Sequence, residues 1–487
     1  MPVTMSRSLT RTWATVAAAL SALVLTAPAA PAADAPASPL AANWDQQAPT
    51  KVATGVTLTR YTERVPENRT RGRVLNVVDI DPTASALTLE SVVGKADGLT
   101  ETVADQLAGV STVAARHPYA GVNGGLFKTE PKHPDHVLPA GSDGTTVMHM
   151  GVSVTDGVLH SSSCWMNGAG SNGVVLQYGI PYITKLRTDM KLTTASGATV
   201  RIDDVNRDPG RSRGCARDAE DTAVKGQTAL YTDPDEIVLF TDDYGFPVPK
   251  PGIDPTVTTD DDPGFEVVLD AHGVVTDARE RRGGQSAAEQ VHVPAGGRIL
   301  QGVGAGADWL RTHLTRDDHP AVDLRLHDVT LDRDIPLDDS VDVVSSFHRL
   351  LSASGVPAEL PDSCNGHVTG ADGTNLICTD SRTAIATNIK GHPVFITLTG
   401  QTQATASTTH EDGDSLRAFA SLLDSPELAL VDVLNLDGGG STTLMTGTET
   451  RTPPTDKGKD PAGPTYVHRR VADSVYTGVG GYGMYAK

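Results

Sequence analysis

Leu428-Ala429-Leu430-Val431-Asp432-Val433-Leu434-Asn435-Leu436-Asp437-Gly438-Gly439-Gly440-Ser441-Thr442 is an apolar run closed by a carboxylate, three glycines and hydroxyls. Residues 428–436 have the composition of a buried strand of about eight residues. A triple glycine leaves backbone N–H groups uncovered by side chains, so an anionic or polyhydroxyl ligand can approach closely. Asp437, at the strand end, then stands at the rim of that surface. The same glycines also suit a plain tight turn that needs their dihedral freedom.

The pattern on either side is similar. Short apolar or alternating runs at 73–80, 86–93, 147–154, 174–178, 236–240, 266–269, 298–303 and 393–398 are separated by turn residues and read as strands. Helical periods are fewer: 102–116, 307–314, and 414–423, where Leu416, Phe419, Ala420 and Leu423 share a face and Asp412 or Asp414 can cap the N-terminus. The expected class is strand-rich α+β, a mixed-sheet core with a few flanking helices in one large domain over 55–487. With only 4% aromatic residues, the core must rest on Val, Leu, Ile and Ala.

The first residues read as an address. Arg7 and Arg11 precede an apolar run from Trp13 to Leu25 and the small-x-small sequence Ala30-Pro31-Ala32. That is a secretory signal peptide over 1–32 with cleavage near Ala32, and residues 33–54 read as a flexible Ala/Pro-rich leader. No later segment reaches the roughly 18 apolar residues of a membrane span. The four cysteines, Cys164, Cys215, Cys364 and Cys378, are an even set in an exported chain and read as disulfides. Cys164–Cys215 with Cys364–Cys378 closes the shortest loops. Zinc is the competing reading, but Cys-x-x-Cys spacing is absent.

Two of the 40 basic residues lie in the signal, leaving 38 against 60 acidic ones. So acidic a chain does not suit nucleic acid, whose phosphates need a basic face. The acidic clusters Asp242-Asp243 and Asp260-Asp261-Asp262 lack EF-hand spacing and read as solvated loops, with structural calcium as the alternative. His133, His136 and His149 lack a zinc-protease spacing, so neither a metal nor a cofactor is expected. The polar stretch from Glu449 to His468 reads as a long loop, either a lid near the glycine turn or a surface excursion.

Three stretches in order narrow the function: Ala120-Gly121-Val122-Asn123-Gly124-Gly125-Leu126-Phe127, then Ser381-Arg382-Thr383-Ala384-Ile385 leading into Val394–Leu398, then the Asp437 loop. With weaker matches at 236–241, 294–300 and 469–472, the chain resembles the phosphodiester glycosidase family over roughly residues 70 to 485. Where family members often carry Asp-Gly-Arg after one strand, this chain has Thr399-Gly400-Gln401, which offers no basic contact there. The resemblance implies hydrolysis of sugar-1-phosphodiesters in glycans or glycolipids, giving sugar and a phosphomonoester.

Such a reaction needs a carboxylate against an oxocarbenium-like state and a cradle for the phosphate. Asp437 is the expected nucleophile or stabiliser, Glu411 the second carboxylate, and Arg382 the planar fork for phosphate oxygens. Substrate contacts are expected from Asn123, Gly124, Gly125, Thr383, Gly438, Gly439, Gly440, Ser441, Thr442 and Arg469, with Asn123 equally suited to ordering the Gly-Gly turn and Ser441 and Thr442 to closing theirs. Gly440-Ser441 does not fit the serine-hydrolase elbow. Two alternatives remain: a non-catalytic wall- or exopolysaccharide-binding protein on the same fold, and a metal-dependent hydrolase.

Overall fold

The computed structural model describes residues 38–65, 72–94, 99–110, 117–131, 145–227, 229–252, 261–286, 288–361, 368–369, 376–377, 380–400, 413–454, 456–457 and 466–479. Ser38–Lys487 forms one compact unit. The expected strand-rich core is present. Among the described residues there are only four short α-helices, so the architecture is mostly β rather than an even α+β mixture.

The opening stretch lies inside an eight-stranded antiparallel sheet ordered Trp44–Gln46, Val56–Glu63, Arg73–Ile80, Pro393–Gly400, Arg382–Asn388, Leu430–Asn435 and Arg349–Leu351, with Thr50–Ala53 beside Val56–Glu63. The strand begins at Leu430 rather than Leu428, because Ala429 has a positive φ of 50° that no strand accommodates. Alternation then sorts the side chains. Val394 and Ile396 enter one apolar cluster with Ala384, Ala386 and Val433; Phe395, Ile385 and Leu434 enter another on the opposite face. Both faces are therefore covered, which explains the near-continuous apolar run.

The first cluster is capped by the helix Leu416–Leu423, which buries Leu416, Phe419, Ala420, Leu422 and Leu423. Its cap is Ser415, whose Oγ accepts from the Ala418 N–H, rather than Asp412 or Asp414. Leu40 and Trp44 enter the same cluster. The leader expected over 33–54 therefore gives way by Pro39 to a helix, Pro39–Asn43, and two paired strands, because burial of Leu40 and Trp44 offsets the entropy of fixing the chain.

The second cluster joins this sheet to two others. A five-stranded sheet carries Leu87–Val93, Asp473–Val479, Ala120–Asn123, Leu444–Thr446 and Glu449–Thr450; an eight-stranded sheet is centred on Val341–Ser346, Ser171–Gln177, Ile180–Thr193 and Ala321–Asp328. A further five-stranded sheet around Ile237–Thr241, Arg298–Gly302 and Phe265–Leu269 packs on that eight-stranded sheet with the helix Gly304–His313. The other expected strands form within a few residues of their predicted bounds, except 147–154, which is broken between Thr145–His149 and Ser153–Thr155.

The expected disulfide Cys164–Cys215 is present, with a Cα–Cα separation of 5.7 Å. Cys364, Cys378, Glu411, His133, His136 and the signal peptide lie outside the described residues. The acidic clusters hold loops: the Asp262 carboxylate accepts from the Gly264 and Gly304 amides, and that of Asp242 from the Gly296 amide.

Candidate active site

Strand register collects the three sequence motifs at one end of the central sheet. Arg73 pairs with Gly400, Arg382 with Leu398, and Ala384 with Asn435. Arg73 and Gly400 thus pair directly, Arg382 lies two residues from that level on the next strand, and Asp437 follows the end of the fourth, although more than 360 positions separate Arg73 from Asp437. Arg73 also supplies a basic side chain next to Gly400, where the Thr399-Gly400-Gln401 sequence lacks one.

Asp437 follows the strand Leu430–Asn435, and its own backbone is clamped. Its N–H donates to the Gly124 carbonyl (3.0 Å), and its carbonyl accepts from Asn123 Nδ2 (2.8 Å). The carboxylate takes the Gly438 N–H at 2.9 Å. Burial pushes its pKa up to about 6, against the lowering pull of Ser441, Arg469 and the Gly438 amide. At neutral pH it is an ionised but costly charge, still partly open to solvent.

Two guanidinium groups flank it. Arg382 is buried, with its pKa lowered by desolvation while Asp380, Asp414 and Asp437 favour its charge. Its Nε donates to the Asp414 carbonyl (2.8 Å), and Nη2 lies 3.7 Å from Asp380. His348, nearby, is held below the usual imidazole range by burial and by Arg382. Arg469 pairs with Asp456 through Nε (2.8 Å) and Nη2 (3.2 Å), and its Nη1 lies 3.5 Å from Ser441 Oγ. The strand Asp456–Lys457, paired with Tyr466–Val467, also touches the turn Gly439–Ser441, so this part of the 449–468 stretch adjoins the site.

The glycines are explained by these neighbours. A Cβ on Gly440 would stand 2.6 Å from Arg469 Nη2, one on Gly438 2.7 Å from the Ser381 carbonyl, and Gly439 has a φ of +60°. Close approach of an arginine and a left-handed turn are thus separate demands within one tripeptide.

Other expected contacts are committed to the scaffold. Asn123 is fully buried; besides its bond to Asp437, its Oδ1 accepts from Thr383 Oγ1 (2.8 Å) and the Thr443 N–H (3.1 Å). Asn123 and Thr383 therefore order the turn and do not reach a ligand. The Gly124 and Gly125 amides donate to the Asp473 carbonyl (2.9 Å) and Oδ1 (2.8 Å), and a Cβ on Gly124 would collide with that carboxylate. These two amides are therefore not a phosphate cradle. Gly438 and Gly439 spend theirs on Asp437 Oδ1 and the Ser381 carbonyl. Ser441 and Thr442 are buried, and Ser441 serves Asp437.

Sequence reading missed Asp380, Asp414, His348, Asp456 and Asp473. Asp473 directly follows the weak 469–472 match; it is buried, its pKa is raised by burial, and it lies 3.6 Å from His149 Nδ1. Asp414 reads only as a helix-cap candidate, and the rest carry no signal beyond being polar residues next to a motif or in a loop.

Residues 264–477 match the phosphodiester glycosidase family. The matched part includes Arg382, Asp437 and Arg469. An exported protein from Burkholderia pseudomallei has a similar structure at 19% identity, over 92% of this chain and 98% of that one, with a TM-score of 0.66. A hypothetical protein from Synechocystis follows at 16% identity, over 87% of this chain and 62% of that one, with a TM-score of 0.53. Both likenesses concern the fold. No curated protein matches the chain.

Proposed function

We propose that the protein is an exported glycosidase that cleaves the sugar–oxygen bond of glycosyl-1-phosphodiesters in glycans or glycolipids. The observation that carries this reading is Asp437: a carboxylate with its pKa pushed to about 6, set between Arg382 and Arg469 at a glycine turn. Ionised, it stabilises positive charge at the anomeric carbon or attacks it. The C1–O bond breaks with both electrons passing to the phosphate oxygen. Arg382 and Arg469 offset that charge, and water supplies the hydroxyl of the free sugar. A phosphomonoester is an acidic leaving group and has little need of a proton donor.

In this reading Asp380, within 3.7 Å of Arg382, joins Glu411 as a second-carboxylate candidate. Export is supported by the signal-like residues 1–32, by the Cys164–Cys215 disulfide and by the exported Burkholderia protein. Incubation with α-linked sugar-1-phosphate esters should release reducing sugar and an intact phosphomonoester. Release of an alcohol and sugar-1-phosphate instead would sink the assignment.

A second reading, non-catalytic binding of a wall or exopolysaccharide, is favoured by the commitment of the Gly124 and Gly125 amides to Asp473. Saturable polysaccharide binding with no product from any phosphodiester would select it.

A further inference from the structure

The Asn123–Gly125 turn that holds Asp437 is itself held by one residue from another strand. Asp473 opens the strand Asp473–Val479, and the register that pairs Ser474 with Asn123 sets Asp473 against the turn. Its carbonyl accepts the Gly124 N–H (2.9 Å), and its Oδ1 accepts the Gly125 N–H (2.8 Å). The same turn then grips Asp437: the Gly124 carbonyl accepts the Asp437 N–H (3.0 Å), and Asn123 Nδ2 donates to the Asp437 carbonyl (2.8 Å). Gly124 alone lies between Asp473 and the Asp437 backbone, and a Cβ there would collide with the Asp473 carboxylate.

Holding one N–H needs only a neutral oxygen, yet this position carries a carboxylate that is 2% exposed. A buried carboxylate is costly unless a cation answers it. His149 does so, with Nδ1 at 3.6 Å from Asp473 Oδ2 in a side chain that is itself buried. Burial raises the pKa of Asp473, while His149, the Gly125 N–H and His160 pull it down and favour its charge. The rings of His149 and His160 lie 6.4 Å apart, and both line a cavity of about 10 Å³ together with Arg207. The charged groups acting on Asp437 are Arg469 and Arg382, which favour its ionised form, and Asp473, which opposes it.

We infer that Asp473 is a positioning residue of the reaction: through the Gly124–Gly125 turn it fixes the backbone of Asp437, and its charge, balanced by His149, adds to the field at Asp437. The catalytic half of this inference rests on the proposed glycosidase reading; the electrostatic half does not.

Two variants of the full chain separate the two roles. Asp473→Asn keeps an oxygen for the Gly125 N–H and removes the charge; Asp473→Ala removes both. With a methyl glycosyl phosphodiester, folded Asp473→Ala should lose about thirtyfold or more in kcat with KM within about twofold, because Asp473 acts through the turn and not on the substrate. Asp473→Asn should recover most of that kcat. With a like charge gone, Asp437 ionises at lower pH, so at pH 5 Asp473→Asn should retain about two- to threefold more of its plateau kcat/KM than the parent. A purely structural role lowers the unfolding midpoint and moves neither the kcat–KM split nor the acid limb. Parental kcat in folded Asp473→Ala, or equal losses in the two variants, overturns the positioning role; an acid limb in Asp473→Asn identical to the parent's overturns the charge role. Should Asp473→Ala not fold, Asp473→Ser, whose oxygen falls short of the Gly125 N–H, takes its place. If the parent turns over no glycosyl phosphodiester, the glycosidase reading fails and takes the catalytic half with it. Carbon NMR of the Asp437 carboxyl, assigned with Asp437→Asn, still decides the electrostatic half: its titration midpoint should fall in Asp473→Asn, and an unchanged midpoint overturns it.

Discussion

Two clusters of arginines and carboxylates lie in this molecule, and they are built differently. One sits at the end of the central sheet around Asp437. The other lies beside the Cys164–Cys215 disulfide, where Arg207 binds Glu236 and Asp204, and Arg217 binds Asp204 at 3.0 Å. In that cluster each of these four side chains is at most 3% exposed. Arg217 also holds the Ser162 and His149 carbonyls, and Arg207 the Asp208 and Arg211 carbonyls. Its charges are used up within the protein, as a structural ion cluster requires. At the sheet end, glycines replace side chains, Asp437 is partly open, and Arg469 retains exposed surface. Closed charge fixes a fold; open charge can meet a ligand.

Titration separates single groups rather than the two clusters, since burial raises Glu236 in the closed one to about 8; Asp204 and Asp437 are the opposed pair. Burial works against the charge of Asp204, but Arg217 and Arg207 outweigh it and hold its pKa down at about 2. Its contribution is present above the ordinary aspartate range and is lost as pH falls through about 2. Asp437 is shifted the other way, to about 6, so its ionisation costs stability as pH rises through that value.

The strongest test of this contrast is Asp437→Asn. Turnover of a glycosyl phosphodiester should fall by about a thousandfold or more, equivalent to roughly 4 kcal/mol of barrier. The same variant should be more stable than the parent at pH 8 by about 1–2 kcal/mol and not at pH 3, measured by urea unfolding. Full activity with retained folding would remove Asp437 from the chemistry. Arg217→Met should do the reverse, destabilising by about 3–5 kcal/mol because Asp204 loses a buried partner. Any folded fraction should keep its kcat, and a selective loss of kcat would join the two clusters functionally.

Arg382→Lys keeps a charge but loses the fork, and should cost about a hundredfold in kcat/KM with little change in unfolding midpoint. For the unaltered protein, kcat/KM should fall on the acid side with an apparent pKa near 6, because Asp437 must be ionised. A flat profile down to pH 4.5 would exclude it as the titrating group. The smallest effect is expected from Gly440→Ala, which pushes on Arg469 and should reduce kcat/KM about tenfold.

Part of the candidate site's placement could be anticipated before folding is considered. Asp437, Arg382 and the triple glycine lie near one another because Arg382 opens and Asp437 follows strands that apolar patterning marks; Arg469 joins them from beside a stretch that reads only as polar loop. Asn123, Thr383, Gly124 and Gly125 also lie there, but as framework. Whether an amide or a hydroxyl meets ligand or protein depends on its third-dimensional neighbour. Here that neighbour is Asp473, some 350 positions away, or Asp437 itself.

The sequence alone determined the strand-rich class and the helix face of Leu416, Phe419, Ala420 and Leu423, because periodicity is a local property of the chain; among three possible cysteine connectivities it only favoured the one containing Cys164–Cys215. Only the tertiary structure decided that Arg73 stands beside Gly400, that Ser415 rather than an aspartate caps the helix, and that Asp414 is shared by two arginines. Those facts follow from strand register and burial, which are set by how whole sheets pack and not by any one segment.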